Sequence, residues 1–164
     1  MSSQPKPYNN NPALYWRDML FHDSDRHRVY AGEDRHSYLL QEGEEFYNSA
    51  KEEMKKLGEQ YRDRRRKEFR DRKEMCSTQI LATSVILLTF GRLEVVEDIL
   101  LYAPLAPCNL STYYLAILRS LFPLPYDLKL LGRENWAKIG AWVLNNKEHL
   151  TWSEEAGCFV STSP

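Results

Sequence analysis

Hydrophobic residues recur with a helical period along most of the chain. From residue 44 onward, apolar side chains follow one another at intervals of three or four, which places them on one helix face. These positions are Phe46, Ala50, Met54, Leu57 and Tyr61. Beyond Tyr61 charged residues take over, and Phe69 alone continues the face. The pattern predicts one long charged helix over about 44–75, packed in its first half and solvated in its second.

The pattern changes abruptly at Cys76. Between residues 80 and 90 apolar side chains cover all sides of a helix, which predicts a central core helix. This apolar run is roughly eleven residues long, whereas a membrane span needs about 20, so no transmembrane segment is expected. Apolar stripes separated by prolines predict further helices that begin near Leu93, at Asn109 and near residue 133. Strand-type alternation is absent from the sequence, and the predicted fold class is all-α.

Charge divides the chain into segments. The whole chain has a net charge of -1, but 31 of its 45 charged residues lie in the first 75. A segment so polar has little apolar surface with which to offset the entropy cost of ordering. We expect a disordered or weakly ordered arm over 1–40, a long charged helix over 41–75, a compact helical domain over 76–152 and a flexible tail over 153–164.

One apolar cluster interrupts the predicted arm, at residues 14–21 (LYWRDMLF). Two interpretations remain open for it. These residues could fold back onto the domain, or they could form a short linear motif that becomes helical in a partner's groove.

Residues suited to catalysis or metal binding are scattered. The three cysteines form no CxxC pair, which disfavours a disulfide framework or a closed zinc site and favours a reducing compartment. Three of the four histidines precede residue 40, near aspartates but without the i,i+4 spacing of a helical metal motif. The seven glycines form no phosphate-binding loop. We therefore expect no enzymatic activity, no metal and no cofactor.

Residues 62–73 form the strongest local charge signal, with eight basic and three acidic residues. Three interpretations remain open: contact with nucleic-acid phosphates, a nuclear localisation signal, or a solvated helix face whose arginines pair with neighbouring acids. The candidate basic patch consists of Arg62, Arg64, Arg65, Arg66, Lys67 and Arg70.

The aromatic residues are numerous, with four tryptophans and ten tyrosines. Tyr113 and Tyr114 point about 100° apart on a helix, and Trp136 and Trp142 also diverge, so one small core cannot take all four. At least one ring of each pair is expected at an edge or outside. Large rings held on rigid helices suit protein interfaces, so all four are candidate partner-binding residues. Core tyrosines whose hydroxyls reach solvent are the alternative.

Two stretches of the C-terminal half resemble the C accessory proteins of paramyxoviruses, which are encoded in a frame overlapping the phosphoprotein. Residues 109–123 (NLSTYYLAILRSLFP) are similar to the "NL-T…IL--L-P" helix of the morbillivirus members. Residues 127–136 (DLKLLGRENW) and 143–147 (VLNNK) are similar to the "LK-L--RE…VL--K" end of the respirovirus members. A weaker similarity occurs at 84–86. The resemblance covers about 76–150.

The resemblance implies a non-enzymatic viral accessory protein that regulates viral RNA synthesis and antagonises the host interferon response through protein–protein binding. The implied partners are viral polymerase components and either a STAT-type interferon-signalling protein or the ESCRT adaptor Alix. The implied location is the host cytoplasm, with the nucleus added if the basic run directs import. The alternative is an RNA-binding protein acting through 62–73. Self-association through the Phe46–Tyr61 face is a third interpretation.

Overall fold

The computed structural model describes residues 11–22, 34–63, 65–129 and 135–162, apart from the side chains of residues 108, 109 and 129. The helices are α1 (Pro12–His22), α2 (Arg35–Gln60), α3 (Lys67–Leu88), α4 (Val96–Tyr102), α5 (Cys108–Leu121) and α6 (Trp136–Asn146). Short 3-10 helices lie at Leu93–Val95, Ala103–Leu105, Tyr126–Lys129 and Lys147–His149. The strands β1 (Leu150–Ser153) and β2 (Cys158–Ser161) pair antiparallel. The predominance of helix confirms the all-α fold class.

The predicted continuous helix over 44–75 is wrong. The helix ends at Gln60, Tyr61 adopts an extended backbone, and α3 then runs back along α2 as an antiparallel hairpin. A straight helix would carry Phe69 about 18 Å beyond Leu57, into water. The reversal instead buries both side chains in one cluster with Cys76. Burial of Phe69 therefore favours the turn over the longer helix.

The core is centred on the second half of α3, and its buried residues lie on both sides of the predicted domain boundary between residues 75 and 76. Every residue from Thr83 to Leu88 is buried, which confirms the predicted core helix as the second half of α3. Around it pack α4, α5, α6 and the β-hairpin. Because α3 is continuous from Lys67 to Leu88, the last part of the predicted charged helix and the start of the predicted compact domain belong to the same helix.

The predicted arm over 1–40 is wrong for the part of it that the structure describes. Helix α1 packs against α2 and α5, and Ala13, Arg17 and Phe21 are buried. Helix α2 begins within the predicted arm, at Arg35. Of the two interpretations of the apolar cluster, folding back onto the domain is the one observed. Residues 1–10 and 23–33 lie outside the described residues.

The predicted flexible tail is wrong for residues 153–162. Phe159 of β2 is buried and stacks on Phe122, with ring centroids 4.8 Å apart. The Ala13 backbone N–H donates to the Gly157 carbonyl at 3.0 Å, so the hairpin also holds the start of α1. The C-terminal segment thus closes the core instead of leaving it.

Candidate functional site

Two of the four candidate partner-binding aromatics are core residues. Tyr114 and Trp136 are buried, and the indole Nε1 of Trp136 donates to the buried Ser111 hydroxyl at 2.8 Å. The buried Tyr114 ring is not available to a partner without local opening, whereas the Trp136 ring also lines a groove between α4 and α6.

The other two rings, Tyr113 and Trp142, are partly buried at the edge of the core. Tyr113 meets Trp16 of α1 edge-on, with centroids 5.6 Å apart, so it helps to hold α1. One ring of each pair therefore lies inside and one at the edge, as the angular argument predicts. The four do not form a single exposed surface.

A groove between α4 and α6 is the better candidate for partner binding. It has a volume of about 490 Å³, and every side chain that lines it is apolar. Two leucines, a proline, an indole and small residues form it: Leu100, Pro104, Trp136, Ala137, Gly140, Ala141 and Leu144.

Small residues on α6 create the groove. A Cβ placed on Gly140 would meet the Leu100 side chain at 3.4 Å, so the end of this leucine packs over the glycine. Ala137 and Ala141 are exposed and add little bulk. The spacing of Ala137, Gly140, Ala141 and Leu144 places one narrow face of small residues toward the groove, and this spacing is a signal in the sequence that the aromatic residues do not give.

Exposed leucines occur in the groove and next in sequence to two of its lining residues. Leu101 and Leu105 follow two lining residues along the chain and are 58% and 81% exposed, and Leu144 is 48% exposed. Single exposed leucines are normal, but several next to an apolar groove are typical of an interaction surface.

A buried carboxylate fixes the position of α4 relative to α2. Asp98 accepts a hydrogen bond from the Tyr47 hydroxyl and one from the Lys51 ammonium, the latter at 2.9 Å. Burial, together with this bond to the Asp98 carboxylate, raises the pKa of Tyr47 well above its ordinary value. The phenol therefore stays protonated and continues to donate, which holds one side of the groove in place.

Five residues of the basic patch lie at the turn between α2 and α3 and at the start of α3, and we call these five residues the basic tip. All of them are exposed: Arg62, Arg65, Arg66, Lys67 and Arg70. Arg64 lies outside the described residues. Among the described residues of the patch, Arg65 alone has an ion-pair partner, Asp63 at 3.3 Å. The acids predicted to neutralise the run, Glu68 and Asp71, form no ion pair within the described part of the chain.

Arg72 belongs to the same basic run but has a different role. Its guanidinium pairs with Glu53 of α2 and donates to the Tyr61 hydroxyl at 3.2 Å. Arg72 therefore ties α3 to α2, whereas the residues of the tip face solvent.

Within the described ranges of the chain, no three side chains of His, Cys, Asp or Glu converge in a way that could hold a metal ion. His36 instead bonds the Asp18 carboxylate at 2.8 Å and joins α2 to α1. Burial raises the thiol pKa of Cys76 and of Cys158.

None of the described helices has both the length and the apolar composition that a bilayer crossing demands.

Comparison with known proteins adds no relative. No family model matches the chain, and neither a curated protein nor a solved structure matches it.

Proposed function

We propose that this chain is a viral accessory protein of the paramyxovirus C type, which acts without enzymatic activity by binding other proteins. Its partners would be viral polymerase components and a host protein, either a STAT-type interferon-signalling factor or an ESCRT adaptor. Its effects would be regulation of viral RNA synthesis and antagonism of the interferon response in the host cytoplasm.

The apolar groove between α4 and α6 supports this proposal most strongly. All of its lining residues lie between Leu100 and Leu144, inside the region that resembles the C proteins.

An amphipathic helix of the partner is the ligand that suits this surface. Packed helices approach to about 8–10 Å between axes, and small residues on one of them permit the close end of that range. Ala137, Gly140 and Ala141 supply such a floor, while Leu100 and Leu144 offer apolar walls. A partner that covers one exposed leucine fully gains about 1.5–3 kcal/mol from its burial.

The test uses the full chain with a substitution that fills the groove. Ala141→Arg places a long charged side chain at an exposed helical position, where arginine is a good helix former, so the fold should persist. We expect the variant to lose capture of polymerase components or of the interferon-signalling protein in nuclease-treated affinity purifications. Inhibition of an interferon-driven reporter should fall at the same time.

Asn145→Arg is the matched control. Asn145 is exposed on α6 and does not line the groove, so this variant adds the same side chain and charge to the same helix. We expect it to behave as the unsubstituted protein does. A folded Ala141→Arg variant that keeps partner capture and reporter inhibition would contradict the proposed surface.

A further inference from the structure

We propose that the basic tip binds the phosphate backbone of single-stranded RNA. This function uses a surface distinct from the α4–α6 groove and goes beyond the protein-binding role proposed above. The exposure, the charge, the chemistry and the shape of the tip all favour this ligand.

Exposure comes first, because a cation that is already paired gains little from a phosphate. The Arg65 side chain is 94% exposed, and its pairing with Asp63 is a solvent-facing contact. Such exposed pairs contribute little and exchange readily. Arg62, Arg66, Lys67 and Arg70 have no ion-pair partner among the described residues and are all exposed.

The charge of the protein is concentrated at this end. Residues 55–73 hold ten basic and four acidic side chains, a net charge of +6, whereas the rest of the chain has a net charge of -7. The C-terminus of α2 and the N-terminus of α3 lie side by side at the tip, so their helix dipoles largely oppose each other. The side chains therefore determine the positive potential, which attracts polyanions.

The residue types favour phosphate as the ligand. Arginine outnumbers lysine in the patch, and its planar guanidinium donates two parallel hydrogen bonds to phosphate oxygens. Lysine contributes a point charge. A nucleic-acid backbone offers such oxygens at every nucleotide, so several guanidinium groups can bind at once.

The arrangement fits a backbone better than it fits a peptide-binding receptor. Nuclear import receptors take a basic run as an extended strand, whereas Lys67 and Arg70 here lie in α3, and Arg66 is the N-cap residue of that helix. A depression beside them is lined by Gln60, Tyr61, Arg62, Asp63 and Arg66.

The experiment measures binding of the full chain to a fluorescein-labelled 12-nucleotide oligouridylate by anisotropy at 50–200 mM KCl. If all five described cations contact phosphates, log Kd should rise with log salt with a slope of about 3.5, and affinity should fall about 100-fold across that range. Arg65→Gln combined with Arg66→Gln should lower this slope to about 2 and weaken binding at 50 mM salt.

Lys138→Gln combined with Lys147→Gln removes the same charge from α6 and its adjoining turn and should leave RNA binding unchanged. Circular dichroism should show equal helicity for both pairs, since Arg66 makes no side-chain cap bond to lose. Ala141→Arg should also bind RNA normally. A failure of the RNA-binding proposal can therefore be distinguished from a failure of the proposed protein binding in the groove. An equal loss of RNA affinity in the lysine double variant and in the arginine double variant would overturn the proposal. Absence of RNA binding at 50 mM salt would overturn it as well. Binding of an importin-α protein without RNA binding would overturn it in favour of nuclear import.

Discussion

Arg17 shows how a single polar residue organises the termini of this protein. Its side chain is only 4% exposed, and its guanidinium donates to the Thr89 carbonyl at the end of α3, at 2.7 Å from Nη2. The same group pairs with Glu154 of the β-hairpin turn at 2.9 Å and lies 4.0 Å above the Phe90 ring. One buried cation thus joins α1, α3 and the hairpin.

Replacement of Arg17 should therefore be costly. Arg17→Met keeps most of the apolar volume but leaves the buried Thr89 carbonyl without its donor, and we expect a loss of about 2–3 kcal/mol in the free energy of unfolding. Urea denaturation measures it. Arg92→Met is the control, because its pair with Glu44 is solvent-exposed and should contribute under about 1 kcal/mol. Equal effects of the two variants would contradict the role of Arg17.

Glu154 makes the same contact sensitive to acid. Hydrogen bonding from Arg17 lowers the pKa of the Glu154 carboxyl below its ordinary value of 4.5. A lowered pKa means that this residue stabilises the fold above pH 4.5, and that the stabilisation is lost as the pH falls through the folded-state value. The unsubstituted protein should exceed Glu154→Gln in stability at pH 7, with the difference shrinking below pH 4.5. Thermal unfolding from pH 7 to pH 3 tests this, and a pH-independent difference would contradict it.

At the scale of elements, the helical hairpin of α2 and α3 shows what periodicity can and cannot predict. The apolar spacing from Phe46 to Tyr61 correctly identifies a helix face. It cannot identify the reversal, because the residues of the turn are charged and resemble a continuation of the helix. In the structure, the backbone N–H of Arg65 donates to the Asp63 side chain at 3.0 Å and stabilises the turn. The tertiary contact of Phe69 with Leu57 decides between the two.

The β-hairpin was missed for a related reason. Its strands are four residues each, too short to show a clear alternation of apolar and polar residues. One sequence signal of the turn is Gly157, the glycine that ends the loop. Gly157 has a φ of +69°, a conformation that glycine adopts freely. The groove was also signalled only by small residues on α6. Core helices can thus be predicted from periodicity, whereas sites formed between helices depend on packing.

Gly91 tests how the hairpin docks onto the end of α3. It has a φ of +84°, and a Cβ there would overlap the Trp152 ring of β1. We expect Gly91→Ala to destabilise the protein by more than about 2 kcal/mol, because left-handed backbone strain of about 1–2 kcal/mol adds to the overlap. Ala156→Gly, in the hairpin turn, is the control. It makes the opposite substitution, and we expect it to lower the free energy of unfolding less than Gly91→Ala does. Urea midpoints compare the two, and an unchanged midpoint for Gly91→Ala would contradict the docking.

Two surfaces of different chemistry lie on different elements of this protein. The basic tip is at the turn between α2 and α3, and the apolar groove is between α4 and α6. Self-association through the Phe46–Tyr61 face has less surface available than the sequence suggests, since Ala50 and Leu57 are buried. We therefore propose that the groove captures proteins and that the tip holds RNA.

The separation of the two surfaces makes a prediction about salt. Protein capture by the apolar groove should change little between 50 and 200 mM KCl, because apolar burial is not screened, whereas RNA binding should weaken about 100-fold. Affinity purification with nuclease at both salt concentrations measures the first, and anisotropy measures the second. Protein capture as salt-sensitive as RNA binding would contradict the assignment of partners to the groove.

Site-directed photo-crosslinking can show whether partner proteins bind in the groove between α4 and α6. A photoreactive amino acid at position 141, in the full chain, is activated in interferon-treated cells that also express the viral polymerase components, with position 145 as the control. From position 141 we predict covalent adducts with a polymerase component, with the interferon-signalling protein or with the ESCRT protein. From position 145 we predict no such adducts. Equal adducts from both positions, or none of these proteins from position 141, would contradict partner binding in the groove between α4 and α6.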